Sequence, residues 1–289
     1  MTKQSFTSWA LFILLAIVWG SSFILMKKSA GHLTGWQIGA IRITAAGLIF
    51  LPLALFHIFK IPLKKLPLVV LSGMLGNLFP AFLFAIAIEK KIDSSLAGIL
   101  NSLTPLFVIL IGAVFFRTRI PNKKLTGVLV GFTGLLLLNL SRGAISISDI
   151  GFTLLILLAT VMYGFNVNLV GRYLKGIDGI KIATVSMAFI CIPAAIVVWQ
   201  HNVIDIARFD EEARISILMA AMLGIVGSAI ATALFYVLIQ KAGGLFASLV
   251  TYAIPVVAIF WGVLDGEQIS AIQVACLAMI LGGVYLANK

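Results

Sequence analysis

The sequence predicts an all-α membrane protein with ten transmembrane helices in two five-helix inverted-topology repeats. Three observations predict this fold class. The 289 residues are 61% hydrophobic and only 11% charged, with a mean hydropathy of +1.14, whereas a soluble domain carries roughly a quarter of charged residues. Ten segments are apolar over most of the length that a bilayer requires. Short motifs of the first half also recur, in the same order, in the second half.

The ten apolar segments are interpreted as spans because a transmembrane helix needs about 20 mostly apolar residues. In chain order they are 8–26, 36–56, 66–88, 94–116, 124–140, 150–173, 180–199, 215–239, 245–264 and 271–287. The fifth segment is the shortest. The longest loop between segments, 200–214, carries four acidic residues.

An internal repeat is indicated by matches that keep their order along the chain. The matched pairs are Trp19-Gly20 with Tyr163-Gly164, "GMLG" (Gly73–Gly76) with "AMLG" (Ala221–Gly224), Ala97 with Ala247, and Pro105 with Pro255. They divide the chain into a first repeat, 1–145, and a second repeat, 146–289. Because each repeat has an odd number of spans, the second is expected to enter the membrane in the opposite sense, as in many secondary transporters.

The net charge of +11 is interpreted as loop bias in a membrane protein, and nucleic acid is not expected as a partner. With both termini on one side, thirteen lysines and arginines fall in the loops of that side and seven in the loops of the other. Because basic loops stay in the cytoplasm, the sequence predicts a multi-pass protein of the inner (plasma) membrane with both termini cytoplasmic.

Two prolines interrupt matching apolar segments near the predicted middle of the membrane. Pro105 and Pro255 lack the N–H that would bond the carbonyl four residues earlier, which belongs to Asn101 in one case and Thr251 in the other. An unpaired carbonyl at this depth must be buried in protein or line a wet cavity. We expect the pair to face a central substrate cavity, and the alternative is that the prolines only kink helices for packing.

Other polar and aromatic side chains within the spans extend this candidate site. Ser228, Thr232 and Tyr236 lie on one helical stripe. The alternative for the serines, threonines and asparagines is hydrogen bonding between packed helices. The predicted substrate-binding residues are Trp19, Asn77, Pro80, Asn101, Thr104, Pro105, Tyr163, Asn166, Ser228, Thr232, Thr251, Tyr252 and Pro255.

The chain resembles the EamA-like group of the drug/metabolite transporter superfamily over nearly its whole length. The resemblance lies in "WGSSF" (Trp19–Phe23), "AIRITAAGL" (Ala40–Leu48), "SLAGILNSLTPLFVIL" (Ser95–Leu110) and "FASLVTYAIPVVAIFWGVLDGEQIS" (Phe246–Ser270). It implies ten spans in two inverted halves around a central cavity that exports or exchanges small metabolites. Similar proteins often end both proline-containing spans with Gly-Glu. Here Gly266-Glu267 keeps that pair, whereas Phe116-Arg117 does not.

Arg42 is the one charge placed clearly within a span. It could extend toward the membrane surface as a structural residue, or it could pair with an anionic substrate. The resemblance favours the structural role, because similar proteins often carry an arginine here whatever their substrate.

Enzymes are disfavoured by the residue types at membrane depth. The three histidines, His32, His57 and His201, fall in loops or at helix ends, and no aspartate cluster suits metal-dependent chemistry. We expect no cofactor and no metal.

The function predicted from the sequence is secondary transport, by facilitation or export, of a small metabolite such as an amino acid. The expected mechanism is alternating access through a central cavity, in a monomer or weak homodimer surrounded by membrane lipids. The acidic residues near the spans are predicted to lie at helix ends, so none is expected at membrane depth, where a proton-coupled carrier usually holds a carboxylate. Facilitated diffusion or exchange is therefore favoured. The alternatives are a proton-coupled drug exporter, in which Glu89 or Glu267 would carry protons, and a non-transporting lipid-binding or assembly factor.

Overall fold

The computed structural model describes residues 5–90, 97, 100–119, 121–141, 150–264 and 270–288, and every regular element within them is helical. We number the α-helices α1 Phe6–Ser29, α2 Gly35–His57, α3 Leu66–Gly73, α4 Phe79–Glu89, α5 Thr104–Val114, α6 Asn122–Leu140, α7 Ile150–Tyr173, α8 Gly179–Gln200, α9 Val203–Phe209, α10 Glu211–Met222, α11 Ala231–Ala242, α12 Gly244–Ser248, α13 Val250–Leu264 and α14 Ala271–Asn288. Two short 3-10 turns, Ile58–Lys60 and Leu63–Lys65, join α2 to α3.

Five helical segments are long and apolar enough to cross a membrane. They are Gly35–Lys60, Leu63–Glu89, Gly151–Tyr173, Gly179–Gln200 and Glu211–Ala242, and they confirm the predicted spans 36–56, 66–88, 150–173, 180–199 and 215–239. Shorter apolar helices lie at Phe6–Ser22, Thr104–Val114, Gly244–Val257 and Val274–Ala287. The remaining five spans stay predictions. The start of 94–116 and the junction between the two predicted repeats lie largely outside the described residues.

Side-chain caps fix where the second helix begins. Thr34 Oγ1 accepts from the backbone N–H of Gln37, and the Gln37 amide oxygen accepts from the backbone N–H of Thr34. Glu89, at the end of α4, accepts from the backbone N–H of Gly35 at 2.7 Å. These contacts satisfy donors that a helix N-terminus leaves without intrahelical partners. Glu89 therefore holds the α2 N-terminus against the end of α4.

Two π-helical turns interrupt otherwise continuous helices. Met74–Leu78 joins α3 to α4, and Leu223–Ile230 joins α10 to α11. Each begins within one of the two matching motifs, at Met74 in "GMLG" and at Leu223 in "AMLG". A π-turn widens the helix and shifts the side chains that follow it, and such turns are frequent at functional sites.

Two further interruptions occur in the proline-containing segments. The helix breaks at Ser102 and Leu103 just before α5, and at Leu249 between α12 and α13. A threonine hydroxyl closes each break in the same way: Thr104 Oγ1 donates to the Asn101 carbonyl at 2.6 Å, and Thr251 Oγ1 donates to the Ser248 carbonyl at 3.0 Å.

Glycines permit close contacts between helix pairs from the two predicted repeats. A Cβ on Gly47 of α2 would collide with Cys191 of α8, and one on Gly283 of α14 would lie 2.6 Å from the Cα of Gly131 on α6. Gly127 of α6 meets the backbone of Ala287 in the same way. The glycine pair on α6 thus serves packing within the chain.

Candidate functional site: a central cavity

A cavity lies among the helices of both predicted repeats, with about 830 Å³ of space free of protein atoms, including its opening. Its lining residues are mostly apolar or aromatic, with polar side chains interspersed. They are Trp19, Ser22, Met26, Arg42, Gly76, Asn77, Phe84, Asn101, Thr104, Tyr163, Asn166, Val167, Gly227, Thr232, Phe235, Tyr236, Thr251 and Ile254.

The structure brings eight of the predicted site residues together in this wall. They are Trp19, Asn77, Asn101, Thr104, Tyr163, Asn166, Thr232 and Thr251. Both π-turns contribute to the lining, through Gly76 and Asn77 in one and Gly227 in the other. The two interrupted helices contribute through residues beside their breaks.

Five predicted residues lie outside the lining. Pro80 and Pro105 are buried near the starts of α4 and α5, and Pro255 is partly buried within α13. Ser228 is buried behind Arg42. Tyr252 is fully buried, donates to the Val128 carbonyl at 2.9 Å and contacts Gly131, so it packs α13 against α6.

The carbonyls freed by the two prolines have hydroxyl partners. The Asn101 carbonyl accepts from Thr104, and the Thr251 carbonyl accepts from Ser102 Oγ at 3.3 Å. This second bond joins the interrupted helices of the two predicted repeats. Both carbonyls are thus engaged within the protein.

Trp19 connects α1 to the second π-turn. Its indole Nε1 donates to the Gly227 carbonyl at 2.9 Å, and its ring lies edge-on to that of Phe235, with centroids 5.1 Å apart. Gly20, the next residue, contacts Val257 of α13, and a Cβ there would be 2.7 Å from the valine side chain. The Trp-Gly pair therefore fixes an aromatic face of the wall by one hydrogen bond and one close helix contact.

Two asparagines leave polar atoms without partners among the described residues. Thr232 Oγ1 donates to Asn77 Oδ1 at 2.8 Å, but Asn77 Nδ2 is buried and unpaired. Asn101 Oδ1 is likewise buried and unpaired. An unsatisfied buried polar atom costs about 1–3 kcal/mol. Two residues of the cavity lining therefore carry one unpaired buried donor and one unpaired buried acceptor.

A hydrogen-bonded group centred on Tyr236 supports another part of the wall. Its hydroxyl lies 3.3 Å from Asn166 Nδ2 and 3.3 Å from the Ser72 carbonyl. The ring is fully buried. The Asn166 side chain also lies against Gly76, where no Cβ would fit. This group joins α7, α11 and the first π-turn.

Several lining residues were absent from the predicted set, namely Ser22, Met26, Arg42, Gly76, Phe84, Val167, Gly227, Phe235, Tyr236 and Ile254. Two of them carried a signal in the sequence: Arg42 as a charge within a span, and Tyr236 on the stripe of Thr232. The apolar residues carried none, because every face of these segments is apolar.

Acidic residues and metal-binding clusters are not found in the wall as far as the structure describes it. No lining residue is acidic, and among the described residues no group of His, Cys, Asp and Glu is suited to hold a metal ion. Glu89 is engaged at the α2 N-terminus. Glu267 lies outside the described residues.

Comparison with known sequences decides the family. The sequence profile of the EamA-like transporter family matches this chain twice, at residues 7–140 and 151–289. The chain belongs to the EamA-like transporter family. The inner membrane transporter YedA of Escherichia coli (strain K12) is 27% identical over 95% of this chain and 88% of its own length. The drug/metabolite transporter resemblance is thereby confirmed.

Two further relatives have names that mention a solute. A "probable amino-acid metabolite efflux pump" of Salmonella typhimurium (strain LT2) is 30% identical over 44% of this chain and 40% of its own length. The S-adenosylmethionine/S-adenosylhomocysteine transporter of Chlamydia muridarum (strain MoPn) is 24% identical over 89% of this chain and 84% of its own length.

A solved crystal structure shares the fold. It covers 97% of this chain, with 96% of its own length aligned, at a TM-score of 0.71 and 21% sequence identity. The all-helical fold of the EamA-like member described here is therefore one already observed by crystallography.

Proposed function

We propose that this EamA-like protein is a secondary transporter that moves a small metabolite, such as an amino acid, across the inner (plasma) membrane by alternating access. The observation that carries the proposal is the central cavity, whose wall combines residues of both predicted repeats with unpaired amide atoms of Asn77 and Asn101. Small-molecule sites typically have this composition, an apolar lining with a few polar groups that orient the ligand.

The proposed architecture is ten spans in two inverted repeats, 1–145 and 146–289, with both termini cytoplasmic. The double match of the family profile, one π-turn in each repeat and one interrupted helix in each repeat support it. In inverted-repeat transporters, substrate sites lie near the membrane midplane and are built partly from discontinuous helices. The breaks before α5 and α13 fit that pattern.

Alternating access requires that one end of the cavity be closed. The α1 residues that line the cavity, Trp19, Ser22 and Met26, all lie in the C-terminal half of that helix. In its N-terminal half, the rings of Trp9 and Phe12 pack against Phe246 of α12, with centroids 5.2 and 5.3 Å apart. This aromatic cluster supports closure at the end where α1 begins.

We propose that transport is driven by the solute gradient alone, as facilitated diffusion or exchange. A proton-coupled carrier generally uses an acidic group at membrane depth, and the described cavity wall has none. Net movement would then follow the metabolite gradient, which means export for a cell that accumulates the solute. A proton-coupled exporter is the competing candidate.

The relatives support an amino-acid-like solute. One is named for amino-acid metabolite efflux and the other for S-adenosylmethionine, which contains a methionine group. The first covers less than half of this chain, so it supports a solute class and no single solute.

Counterflow in proteoliposomes tests the proposal. Vesicles containing the full chain are loaded with an unlabelled mixture of amino acids, and uptake of radiolabelled leucine, methionine and phenylalanine is measured without any ion gradient. We expect transient accumulation of at least one label, absent from protein-free vesicles. No accumulation of any label, with binding of lipid alone, would favour the non-transporting alternative. Accumulation that requires an imposed pH gradient would favour proton coupling.

A further inference from the structure

Arg42 places a positive charge in the wall of the central cavity. Its Nε donates to Ser228 Oγ at 2.6 Å, and the side chain is partly exposed to the cavity. Its two terminal amino groups have no hydrogen-bond or ion-pair partner among the described residues. The bond to Ser228 uses one of the five donors of a guanidinium and leaves the forked end, which suits a carboxylate, available.

The described acidic residues do not supply a counter-charge. None lies within ion-pair distance of Arg42. They occur at helix ends and in loops, namely Glu89, Asp178, Asp205, Asp210, Glu211 and Glu212. Charged side chains at membrane depth almost always pair with another group or face a water-filled cavity.

The guanidinium joins α2 to the second π-turn through the Nε bond to Ser228, and a main-chain contact also brings these two elements together. A Cβ on Gly224 would meet the backbone carbonyl of Arg42, so the close contact between α2 and the second π-turn is made by main-chain atoms. The corresponding helix of the second repeat, α8, has no charged residue between positions 182 and 199. The α8 helix therefore packs in the second predicted repeat without a charge like that of Arg42 on α2.

The same cavity contains two further unpaired groups of complementary type. Asn77 Nδ2 is a buried donor, and Asn101 Oδ1 is a buried acceptor. A carboxylate accepts hydrogen bonds only, whereas an ammonium group donates them only. Phe84, Phe235 and Ile254 supply apolar surface in the wall. Charge, donor, acceptor and apolar surface together match a zwitterion that has an apolar side chain.

We propose that Arg42 binds the carboxylate of the transported solute, and that the solute is an α-amino acid with an apolar or aromatic side chain. Asn101 Oδ1 accepts from its ammonium group, and Asn77 Nδ2 adds a donor to the polar end. Ser228 orients the guanidinium through Nε. This inference rests on the proposed transport function and specifies the solute class of that site.

The test compares ligands from which one charged group has been removed. Binding of phenylalanine, phenethylamine and 3-phenylpropionate to the purified full chain is measured by calorimetry, with leucine and methionine series in parallel. We expect the amino acid to bind most tightly and the amine, which lacks the carboxylate, to bind roughly 10- to 100-fold more weakly. An amine that binds as tightly as its amino acid overturns the inference.

Variants assign the effect to this residue. In Arg42→Gln, affinity for the amino acid and the acid should fall roughly 10- to 100-fold, while affinity for the amine stays unchanged. A merely structural role would lower all three together. Arg42→Lys should retain most of the affinity, and Arg208→Gln, at an exposed arginine of α9, serves as the control. If Arg42→Gln does not fold, the ligand series on the unaltered protein decides.

Failure of this inference is distinguishable from failure of the proposed function. Counterflow of amines or uncharged solutes, unaffected by Arg42→Gln, would leave transport standing and remove the carboxylate site. Absence of counterflow for every acid, amine and amino acid in the series would contradict transport itself.

Discussion

The indole Nε1 of Trp19 donates a hydrogen bond to the carbonyl oxygen of Gly227 across 2.9 Å. The acceptor lies within the second π-turn, where the widened helix leaves backbone groups outside the regular i to i+4 pattern. The bond links the first helix of one predicted repeat to the third helical segment of the other. A change in the relative position of the repeats would have to lengthen or break it.

Replacing Trp19 by Phe should therefore destabilise the protein and impair transport. The change keeps an aromatic ring beside Phe235 but leaves the Gly227 carbonyl without its partner, at a cost of about 1–3 kcal/mol. The midpoint of thermal unfolding in detergent and the rate of counterflow measure the two effects. Trp199→Phe is the control, because that side chain is 74% exposed. Equal behaviour of the two variants would contradict a role for the bond.

Substitutions of Ser102 and Pro255 should partly compensate each other in their effects on the midpoint of thermal unfolding. Ser102 Oγ donates to the Thr251 carbonyl at 3.3 Å, which has no helical partner because residue 255 is proline. Ser102→Ala should lower the unfolding midpoint. Adding Pro255→Ala restores an N–H for that carbonyl, so we expect it to raise the midpoint more in the Ser102→Ala background than in the unaltered protein.

Pro193→Ala is the matched control for this cycle, since Pro193 also lies inside an apolar helix but not opposite Ser102. It should give no such compensation. Strict additivity of Ser102→Ala and Pro255→Ala would show that the hydroxyl does not satisfy the Thr251 carbonyl.

Gly282 and Gly283 are neighbours on α14 but have different surroundings, so the same substitution at each position tests the packing of this helix. A Cβ on Gly283 would collide with the backbone of Gly131 and lie 2.7 Å from the Gly127 carbonyl, whereas one on Gly282 meets nothing within 4 Å. Gly283→Ala should lower the unfolding midpoint by several degrees, and Gly282→Ala should leave it unchanged or slightly raised, because alanine favours helix. Loss of stability in Gly282→Ala of the same size would show that the contact between α6 and α14 differs from the one described.

Sequence reasoning succeeded where the membrane itself imposes the pattern. Long apolar segments report spans because the bilayer allows few alternatives, and five of them are confirmed. Asn101, four residues before Pro105, and Trp19, in the middle of α1, were predicted to face a cavity, and both lie in its wall. Their role in binding a substrate stays a prediction.

The parts that sequence reasoning missed depend on contacts between distant segments. Tyr252 was predicted to line the cavity because it is an aromatic residue with a polar hydroxyl near Pro255. Its ring instead lies against Gly131 and its hydroxyl donates to the Val128 carbonyl, and both partners are more than 120 residues away in the sequence. The two π-turns have no characteristic amino-acid composition by which the sequence could have predicted them. The second is held by Trp19 on Gly227 and by Gly224 against the Arg42 backbone, and neither contact is visible in a single segment.

The proposed topology makes a separate prediction about accessibility. With Cys191 and Cys276 replaced by alanine, a cysteine at position 63, between α2 and α3, should react with a membrane-impermeant thiol reagent only after cells are permeabilised. A cysteine at position 204, in α9, should react in intact cells. Both side chains are exposed, at 83% and 61%. Labelling of position 63 from outside would reverse the proposed orientation.

The central claim is that the solute crosses through the cavity, and covalent blocking of the cavity tests it most directly. In the same cysteine-free background, Ser22→Cys places a thiol in the wall, and Thr126→Cys places one on the exposed surface of α6. Each variant is treated with N-ethylmaleimide in proteoliposomes, the extent of modification is measured by mass spectrometry, and counterflow is then recorded with an amino acid that the untreated protein exchanges. We expect modification at position 22 to abolish counterflow and to be slowed by saturating amino acid, and modification at position 126 to have no effect. Full counterflow after complete modification at position 22 would contradict the central claim.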